Sequence, residues 1–358
     1  MKKFAWLLLA ALLLSGCGRQ PETAVETTAP AVTAEPETAA AAEATTVPTL
    51  PPDQHLIFTF AGDCTLGCHT EHNRAGYGFL MTVGEDYDYP FRNVRTWFEE
   101  DDFTMVNLEG VLGNRGSPAG RKYAFRGYGS YVNILTQNSV EAVSLANNHT
   151  RDYGEEGYTE TKRLLDEAGV SYVEQNSSTV ITLENGMTVG IYGTVYNSIH
   201  QKPVAEGIAA LKAQGVDLII YAPHWGTEHS FRPTEEQKEL GRAAIDAGAD
   251  IVYGCHAHVL QPIEEYGDGV IYYSLGNFSF GGNIYPSDYD TAMIQQEVIL
   301  HGDGTVTLGD RTIIPCSISS MEKRNNFQPT PYEEGSEAYL RVLSKLDGSY
   351  SGSNLPVH

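Results

Sequence analysis

From residue 55 onward, short apolar runs alternate with segments whose apolar residues recur at helical spacing. The runs that predict strands are 55–61, 103–106, 140–145, 187–193, 216–222, 251–253 and 270–274. The segments that predict helices are 91–100, 131–138, 154–168, 205–214 and 234–247. This alternation predicts an α/β fold in which helices cover a central sheet. Two later runs, 292–300 and 306–314, predict an antiparallel pair, and 337–346 predicts a last helix.

Polar side chains collect directly after the predicted strands. They are Asp63, Glu109, Asn148 with His149, His224, and His256 with His258. Because open α/β sheets bind ligands at the carboxyl ends of their strands, we expect these side chains to meet in one crevice. The stretch Gly254-Cys-His-Ala-His258 is the most specific of these signals, since it follows a buried strand with two imidazoles. Asn107 lies on the same strand face as Glu109 and is the alternative ligand there.

Carboxylates, an amide oxygen and imidazoles are ligands that suit Mn, Fe or Zn, so we predict one or two divalent ions. Two ions joined by a bridging carboxylate are a known arrangement for hydrolysing phosphate esters and amides. His149 is the predicted proton donor to the leaving atom, and Asp152 is predicted to orient it. The alternatives are a hydrogen-bonding role outside the metal shell for His149 and a helix cap for Asp152.

A short basic loop interrupts a strongly acidic chain, whose formal net charge is −23. Arg121, Lys122 and Arg126 alternate with aromatic residues, which predicts an anion-binding lip for carboxylates or phosphates; a solvated loop is the alternative. Asn277 is predicted to shape the substrate side of the crevice. The excess of 46 acidic over 23 basic residues argues against nucleic acid as a partner.

Residues 1–17 have the pattern of a bacterial lipoprotein signal. Lys2 and Lys3 precede an apolar run that ends in Leu-Ser-Gly-Cys17, which makes Cys17 the predicted lipidation site; an ordinary secretory signal is the alternative. Residues 18–53 are rich in Thr, Ala, Pro and Glu and contain no aromatic residue, which predicts a disordered tether. These features predict an extracytoplasmic protein that a lipid anchors to the cell membrane.

The other cysteines are Cys64, Cys68, Cys255 and Cys316, and no two of them form a CxxC pair. A zinc knuckle therefore has little support, whereas a disulfide is possible outside the cytoplasm. Cys64 and Cys255 lie beside candidate ligands, and the alternative for both is a small buried apolar residue.

Six motifs taken together resemble the signature of the CapA family, the capsule-synthesis and poly-γ-glutamate-associated proteins. They are Phe60-Ala-Gly-Asp63, Asn107-Leu-Glu-Gly110, Ala146-Asn-Asn-His-Thr-Arg-Asp-Tyr-Gly154, Pro223-His-Trp-Gly226, Gly254-Cys-His-Ala-His258 with Gln261-Pro262, and Ser274-Leu-Gly-Asn-Phe278. The resemblance covers about residues 55–318. It implies a four-layered α/β/β/α sandwich similar to that of the calcineurin-like metallophosphoesterases.

Carried over residue by residue, the resemblance implies a role for each candidate. Asp63 matches the first-strand metal aspartate, and Glu109 stands in place of a bridging aspartate. Asn148 matches the metal-binding asparagine, and His149 the histidine that assists the leaving group. The remaining metal histidines are matched by His224, His256 and His258.

The sequence also departs from the family patterns. The wider superfamily has Asp-x-His in its first motif, whereas Cys64 and Thr65 follow the aspartate here, so that histidine is missing unless His69 reaches the centre. Cys255 stands where a histidine is usual, and His229 where an aromatic residue is expected.

The resemblance implies a membrane-tethered protein of capsule or poly-γ-glutamate biosynthesis and export. Its expected partners are the membrane, an anionic polymer and a membrane synthase complex. The alternatives are a secreted metal-dependent hydrolase of phosphoester, γ-glutamyl or cell-wall amide bonds, and a non-catalytic polymer-binding lipoprotein. We expect the folded domain to span 54–320 and a C-terminal extension to span 321–358.

Overall fold

The apolar runs of the chain assemble into two β-sheets that pack face to face in the computed structural model of the protein. The structure describes residues 50–69, 76–120, 122–195 and 201–356. The predicted signal, Cys17, the tether up to residue 49, and Arg121 lie outside the described residues.

The secondary structure follows the predicted alternation of strands and helices. In chain order the strands are β1 (Gln54–Thr65), β2 (Phe103–Leu108), β3 (Val111–Leu112), β4 (Arg126–Gly127), β5 (Ala142–Ser144), β6 (Ser171–Val173), β7 (Ser177–Thr182), β8 (Thr188–Val195), β9 (Leu218–His224), β10 (Ile251–Tyr253), β11 (Ile263–Tyr266), β12 (Gly269–Tyr272), β13 (Asn277–Phe280), β14 (Asp290–Leu300), β15 (Val306–Ser317) and β16 (Thr330–Pro331). The α-helices are α1 (Phe79–Val83), α2 (Arg95–Glu99), α3 (Val132–Thr136), α4 (Gly154–Ala168), α5 (Gln201–Ala213), α6 (Glu235–Asp246) and α7 (Glu337–Leu346).

The first sheet has the strand order β16-β15-β14-β1-β2-β5-β6, and β13 also pairs with β1. Strands β1, β2, β5 and β6 are parallel, so their carboxyl ends lie at one edge, whereas β14 and β15 are antiparallel as predicted. The second sheet has the order β11-β12-β10-β9-β8-β7, with β8, β9, β10 and β12 parallel. Strands β3 and β4 form a separate pair.

Three apolar layers separate four layers of secondary structure, which makes the architecture a four-layer sandwich. The inner layer lies between the sheets and joins Phe58 and Phe60 of β1 to Ile220 of β9 and Tyr253 of β10. Helices α1 to α4 pack on the outer face of the first sheet. Helices α5 and α6 pack on the outer face of the second sheet. The predicted α/β/β/α sandwich is therefore confirmed.

Most helix predictions are confirmed, and the one helix that begins clearly later than predicted has a local cause. Helices α4 and α7 have the predicted bounds, and Thr234 caps α6 with a reciprocal bond to Gln237. The helix predicted over 91–100 begins only at Arg95, because Val94 has a non-helical φ of −126°. No helix in the described ranges has both the length and the apolarity that a membrane crossing requires.

The four cysteines of the described ranges are all buried free thiols. The possible disulfide among them is therefore not formed, and the alternative of small buried residues holds for Cys64 and Cys255.

The segment after residue 320 belongs to the same packed body as the preceding domain. Val342 and Leu346 of α7 enter the inner apolar layer between the sheets. Lys345, which is 2% exposed, donates to Asp288 and Asp290 at 2.7 Å each. The predicted C-terminal extension thus contributes to the core through both apolar contacts and buried charge.

We predict that Lys345→Met lowers the free energy of unfolding by about 3 kcal/mol, because it removes the buried ammonium that Asp288 and Asp290 share and leaves Arg341 as the only described cation that contacts Asp290. The matched control is Arg163→Met, which breaks the exposed helix pair with Glu167 and should change stability by about 0.5 kcal/mol or less. Urea unfolding of both variants measures the difference. Equal losses would show that the buried cluster contributes no more than a surface pair.

Candidate metal centre

Strand register places three polar residues at one level of the first sheet. Asp63 is in parallel register with Asn107 of β2 and with Asn277 of β13. The Asp63 amide donates to the Gly276 carbonyl oxygen at 2.8 Å. Gly62 permits this approach, because a Cβ there would lie 2.1 Å from the same oxygen. The end of β1 is therefore fixed by backbone pairing on both sides.

The second sheet delivers its histidines from two adjacent strand ends. His224 is the last residue of β9 and forms a bridge with Cys255, just after β10. The buried indole of Trp225 donates to the Tyr273 carbonyl oxygen at 2.9 Å. A Cβ at Gly254 would lie 2.4 Å from both the Trp225 indole nitrogen and that carbonyl oxygen. Only glycine therefore fits where the chain turns toward its two imidazoles.

The loop after β10 turns through the left-handed region at two alternate residues. His256 has a φ of +99° and His258 a φ of +57°. Such backbone costs roughly 1–3 kcal/mol per non-glycine residue and concentrates at functional sites. The two rings lie 5.9 Å apart, centroid to centroid. The strained backbone thus holds both imidazoles at the same crevice.

Glu109 lies at the middle of the crevice and is fully buried. Its Oε1 atom is 3.8 Å from the Nε2 atoms of His149, His224 and His258. Among the described residues, neither Glu109 oxygen has a hydrogen-bond partner, and neither does His256 Nδ1. Buried polar atoms without partners are rare in folded proteins, so this arrangement requires an explanation.

Asp63 and Asn148 complete the set of side chains around this carboxylate. Asp63 Oδ1 accepts from the Asn107 amide at 2.8 Å, and its Oδ2 lies 3.3 Å from His258 Nδ1. Asn148 Oδ1 lies 2.9 Å from His224 Nε2. All six predicted ligands are therefore brought together in one crevice.

Burial governs the ionisation of the crevice. It raises the pKa of Glu109 to about 7, lowers the pKa of His256 to about 4 and lowers the pKa of His224 well below its usual value. Burial also lowers the pKa of His258, but Glu109 and Asp63 outweigh it and raise that pKa to about 10. The two carboxylates thus favour a positive charge between them.

The donor atoms form two groups that fit a divalent cation. Asp63, Glu109 and His224 form the first group, and Glu228, His256 and His258 form the second group. Within each group the ligand atoms lie within 4.8 Å of one another. Carboxylates and imidazoles at this spacing match the ligands of first-row divalent metals, and a cation would provide a partner for the orphaned Glu109 oxygens.

The sequence left open whether Asn107 replaces Glu109 as a ligand and whether His69 reaches the centre. Hydrogen bonding answers the first question, and position answers the second. Asn107 uses its amide nitrogen on Asp63, and its oxygen accepts from Asn147 at 3.1 Å, so Glu109 rather than Asn107 is the available donor. His69 belongs to neither group of described candidate ligands. Its ring lies edge-on to Tyr123, with 6.0 Å between the ring centroids.

The predicted contact between His149 and Asp152 is present. His149 Nδ1 lies 2.7 Å from Asp152 Oδ2, which also accepts from the Phe125 amide at 2.8 Å. The Phe125 ring lies 4.5 Å from the imidazole, centroid to centroid. Asp152 therefore orients His149, whereas the N-cap residue of α4 is Tyr153, which makes no side-chain cap.

Of the predicted anion-binding residues, Lys122 is exposed, whereas Arg126 contacts its own loop. The Lys122 ammonium lies 5.0 Å from the Tyr123 ring. The Arg126 guanidinium stacks 3.4 Å from the Tyr153 ring and donates to the Gly116 carbonyl oxygen at 3.3 Å. Arg126 is thus turned toward its own loop, and its role in anion binding stays a prediction that this geometry does not favour.

Asn277 supports a candidate ligand. Its Oδ1 atom lies 2.9 Å from His258 Nδ1, and its amide nitrogen donates to the His258 carbonyl oxygen at 3.4 Å. These two contacts fix the ring orientation and direct Nε2 toward Glu109. The predicted role of Asn277 in shaping the crevice therefore includes holding His258.

Glu228 is the ligand candidate that the sequence reasoning missed. It lies four residues after His224, in the loop that follows β9. The sequence signal for Glu228 is a carboxylate close behind a histidine at a strand end. Whether that carboxylate returns to the crevice depends on the path of the loop, which the sequence pattern does not give.

Comparison with known proteins relates this sequence to a family. The family model described as "Bacterial capsule synthesis protein PGA_cap" matches residues 57–282. The PGA biosynthesis protein CapA of Bacillus subtilis (strain 168) is 30% identical over 306 residues, which cover 76% of this chain and 77% of that protein. The capsule biosynthesis protein CapA of Bacillus anthracis is 28% identical over 294 residues, covering 74% and 68%.

The matched segment contains all six predicted ligands as well as His149 and Asp152. The resemblance drawn from the sequence motifs is confirmed. The chain belongs to the CapA family of bacterial capsule synthesis proteins.

Proposed function

We propose that this protein acts in capsule or poly-γ-glutamate biosynthesis as a metal-dependent hydrolase. Its substrate would be an anionic polymer or a precursor of one, cleaved at a phosphoester, γ-glutamyl or cell-wall amide bond. The observation that carries the proposal is the buried Glu109 carboxylate, which has three imidazole nitrogens at 3.8 Å and no hydrogen-bond partner among the described residues.

The proposed centre holds one or two ions of Mn, Fe or Zn. Asp63, Glu109 and His224, with Asn148 beside them, would hold one ion, and Glu228, His256 and His258 the other. When bound, a divalent ion polarises the bond to be cleaved and lowers the pKa of a water molecule, so that hydrolysis proceeds near neutral pH.

The chain itself would supply the proton for the leaving atom. Asp152 accepts the Nδ1 proton of His149, which leaves Nε2 facing the crevice beside Glu109. A protonated Nε2 can then donate to the departing oxygen or nitrogen, while Asp152 stabilises the charged ring. The Phe125 ring covers one side of the imidazole and limits its access to water.

We also propose that the mature chain is an extracytoplasmic lipoprotein, anchored through Cys17 beside a membrane synthase complex. The support is the Leu-Ser-Gly-Cys17 pattern after a short apolar run and the aromatic-free tether that follows. The tether would keep the folded domain clear of the membrane surface.

We predict that the soluble domain from Asp53 contains stoichiometric Mn, Fe or Zn by elemental analysis. After the metal is stripped, adding it at 100 times its Kd should restore about 2.7 kcal/mol of stability. Glu109→Gln should abolish this gain, because an amide cannot replace the charged ligand, whereas the exposed control Glu239→Gln should keep it. Folded wild-type protein that binds none of these metals would refute the proposed centre.

We expect His149→Ala to lower kcat at least about 100-fold on any phosphoester or γ-glutamyl peptide that the wild type cleaves, with unchanged metal content. Asp152→Asn should give a smaller loss, because it disturbs only the orientation of the imidazole. The exposed His55→Ala is the matched control. A metal-loaded wild type that cleaves none of these substrates but retains polymer would favour the non-catalytic binding protein instead.

Cys17→Ala should move the protein from the membrane fraction to the soluble fraction and abolish labelling by a radioactive fatty acid. Ser15→Ala, which keeps the cysteine, is the control and should retain the label. An unlabelled wild-type protein in the soluble fraction would contradict the anchor without touching the metal centre.

A further inference from the structure

We infer that the C-terminal tail, residues 349–356, positions the second group of ligands and thereby sets the affinity of one of two cation positions. This inference rests on the proposed metal centre. It concerns His229, a residue between the tail and the crevice that serves neither as a ligand nor as a proton donor in the proposed reaction.

His229 connects the tail to the loop after β10 by three hydrogen bonds. Its Nδ1 atom donates to the Pro356 carbonyl oxygen at 2.7 Å, and its own carbonyl oxygen accepts from the Leu355 amide at 3.1 Å. Its backbone N–H donates to the Ala257 carbonyl oxygen at 2.7 Å. One residue therefore holds the tail on one side and the histidine loop on the other.

The chain neighbours of these contacts are the three ligands of the second group. Glu228 directly precedes His229, and Ala257 lies between His256 and His258. Displacing His229 would therefore displace a carboxylate and both imidazoles relative to one another. Metal affinity depends on how well such supporting contacts orient the ligands.

The backbone of His229 needs this support. Its φ is +61°, a conformation that costs of order 1–3 kcal/mol in a residue other than glycine. A strained residue keeps its conformation only where surrounding contacts determine it, and the tail supplies two of the three contacts described above. Without the tail, the loop loses the bonds that oppose its relaxation.

Apolar packing strengthens the same connection. The Phe231 ring lies 5.0 Å from the Tyr350 ring, and the Phe231 amide donates to Asn354 Oδ1 at 3.0 Å. Phe231 also packs with Ala257 in a small cluster, against which Leu355 lies. The tail thus covers the apolar base that both ligand loops share.

The first group of ligands has a different support. Asp63 is fixed by strand pairing in the first sheet, and His224 by strand pairing in the second. Loosening the tail should therefore weaken one cation position and leave the other unchanged. A residue that merely stabilised the fold would not separate the two positions.

The experiment titrates Mn²⁺ into the metal-stripped full-length chain and measures both binding steps by calorimetry. Asn354→Ala should weaken one of the two steps about 10-fold and leave the other within about twofold. His229→Asn should act in the same way, since asparagine tolerates the left-handed backbone but changes the reach toward Pro356. Ser353→Ala, an exposed neighbour in the tail, is the matched control and should bind as the wild type does.

The unfolding midpoint of each metal-stripped variant is measured in parallel and should equal that of the wild type. Unchanged affinity for both ions in Asn354→Ala and His229→Asn would overturn the inference. Equal weakening of both ions together with a lower midpoint would also overturn it, since this indicates a structural role. A wild type that binds a single ion would overturn it too, whereas a wild type that binds none would instead refute the proposed metal centre.

Discussion

The burial of the Glu109 carboxylate is the constraint on which the crevice depends. Removing an ionised carboxylate from water costs several kcal/mol in real proteins unless charge or hydrogen bonds offset the cost. The carboxylate is 0% exposed, and its nearest described counter-groups are imidazole nitrogens at 3.8 Å, beyond hydrogen-bonding distance. Strand ends that converge on such a group favour a cation at the site, because a cation there would lie within reach of the carboxylate and of the surrounding imidazoles together.

The two sheets contribute unequally constrained ligands to this centre. The first sheet provides Asp63 from a strand that is paired on both sides, so the backbone has no freedom to move that carboxylate. The second sheet provides His256 and His258 from a loop with positive φ at both residues. The position of Asp63 is therefore set by strand pairing, whereas the positions of His256 and His258 depend on contacts with distant parts of the chain.

The fold and most of the ligands follow from local sequence patterns. Each apolar run has the length of a strand, and a polar residue after such a run lies at the carboxyl edge whatever the exact register. This is why Asp63 and His224 could be predicted without a structure. The choice between Glu109 and Asn107 could not be predicted, because residues two apart share a strand face. Only the hydrogen bonds of Asn107 to Asp63 and Asn147 distinguish the two.

What the sequence could not predict depends on contacts between distant parts of the chain. Glu228 reaches the crevice because its loop is held by a tail 127 residues beyond His229. Arg126 carries the charge expected of an anion site, yet stacking on Tyr153 turns it toward its own loop. Composition places such residues in a loop, but the direction of each side chain is decided by partners that no local pattern reveals.

The proposed anionic substrate gives a second reason for a cation in the crevice. A chain of net charge −23 repels an anionic polymer over distances up to the Debye length, about 8 Å at physiological ionic strength. Two of the acidic residues counted in that charge, Asp63 and Glu109, are buried in the crevice itself. Burial lowers the pKa of His224 and of His256, whereas Glu109 and Asp63 raise the pKa of His258. A bound divalent ion would offset the charge of these two carboxylates, so the proposed substrate class and the proposed metal depend on each other.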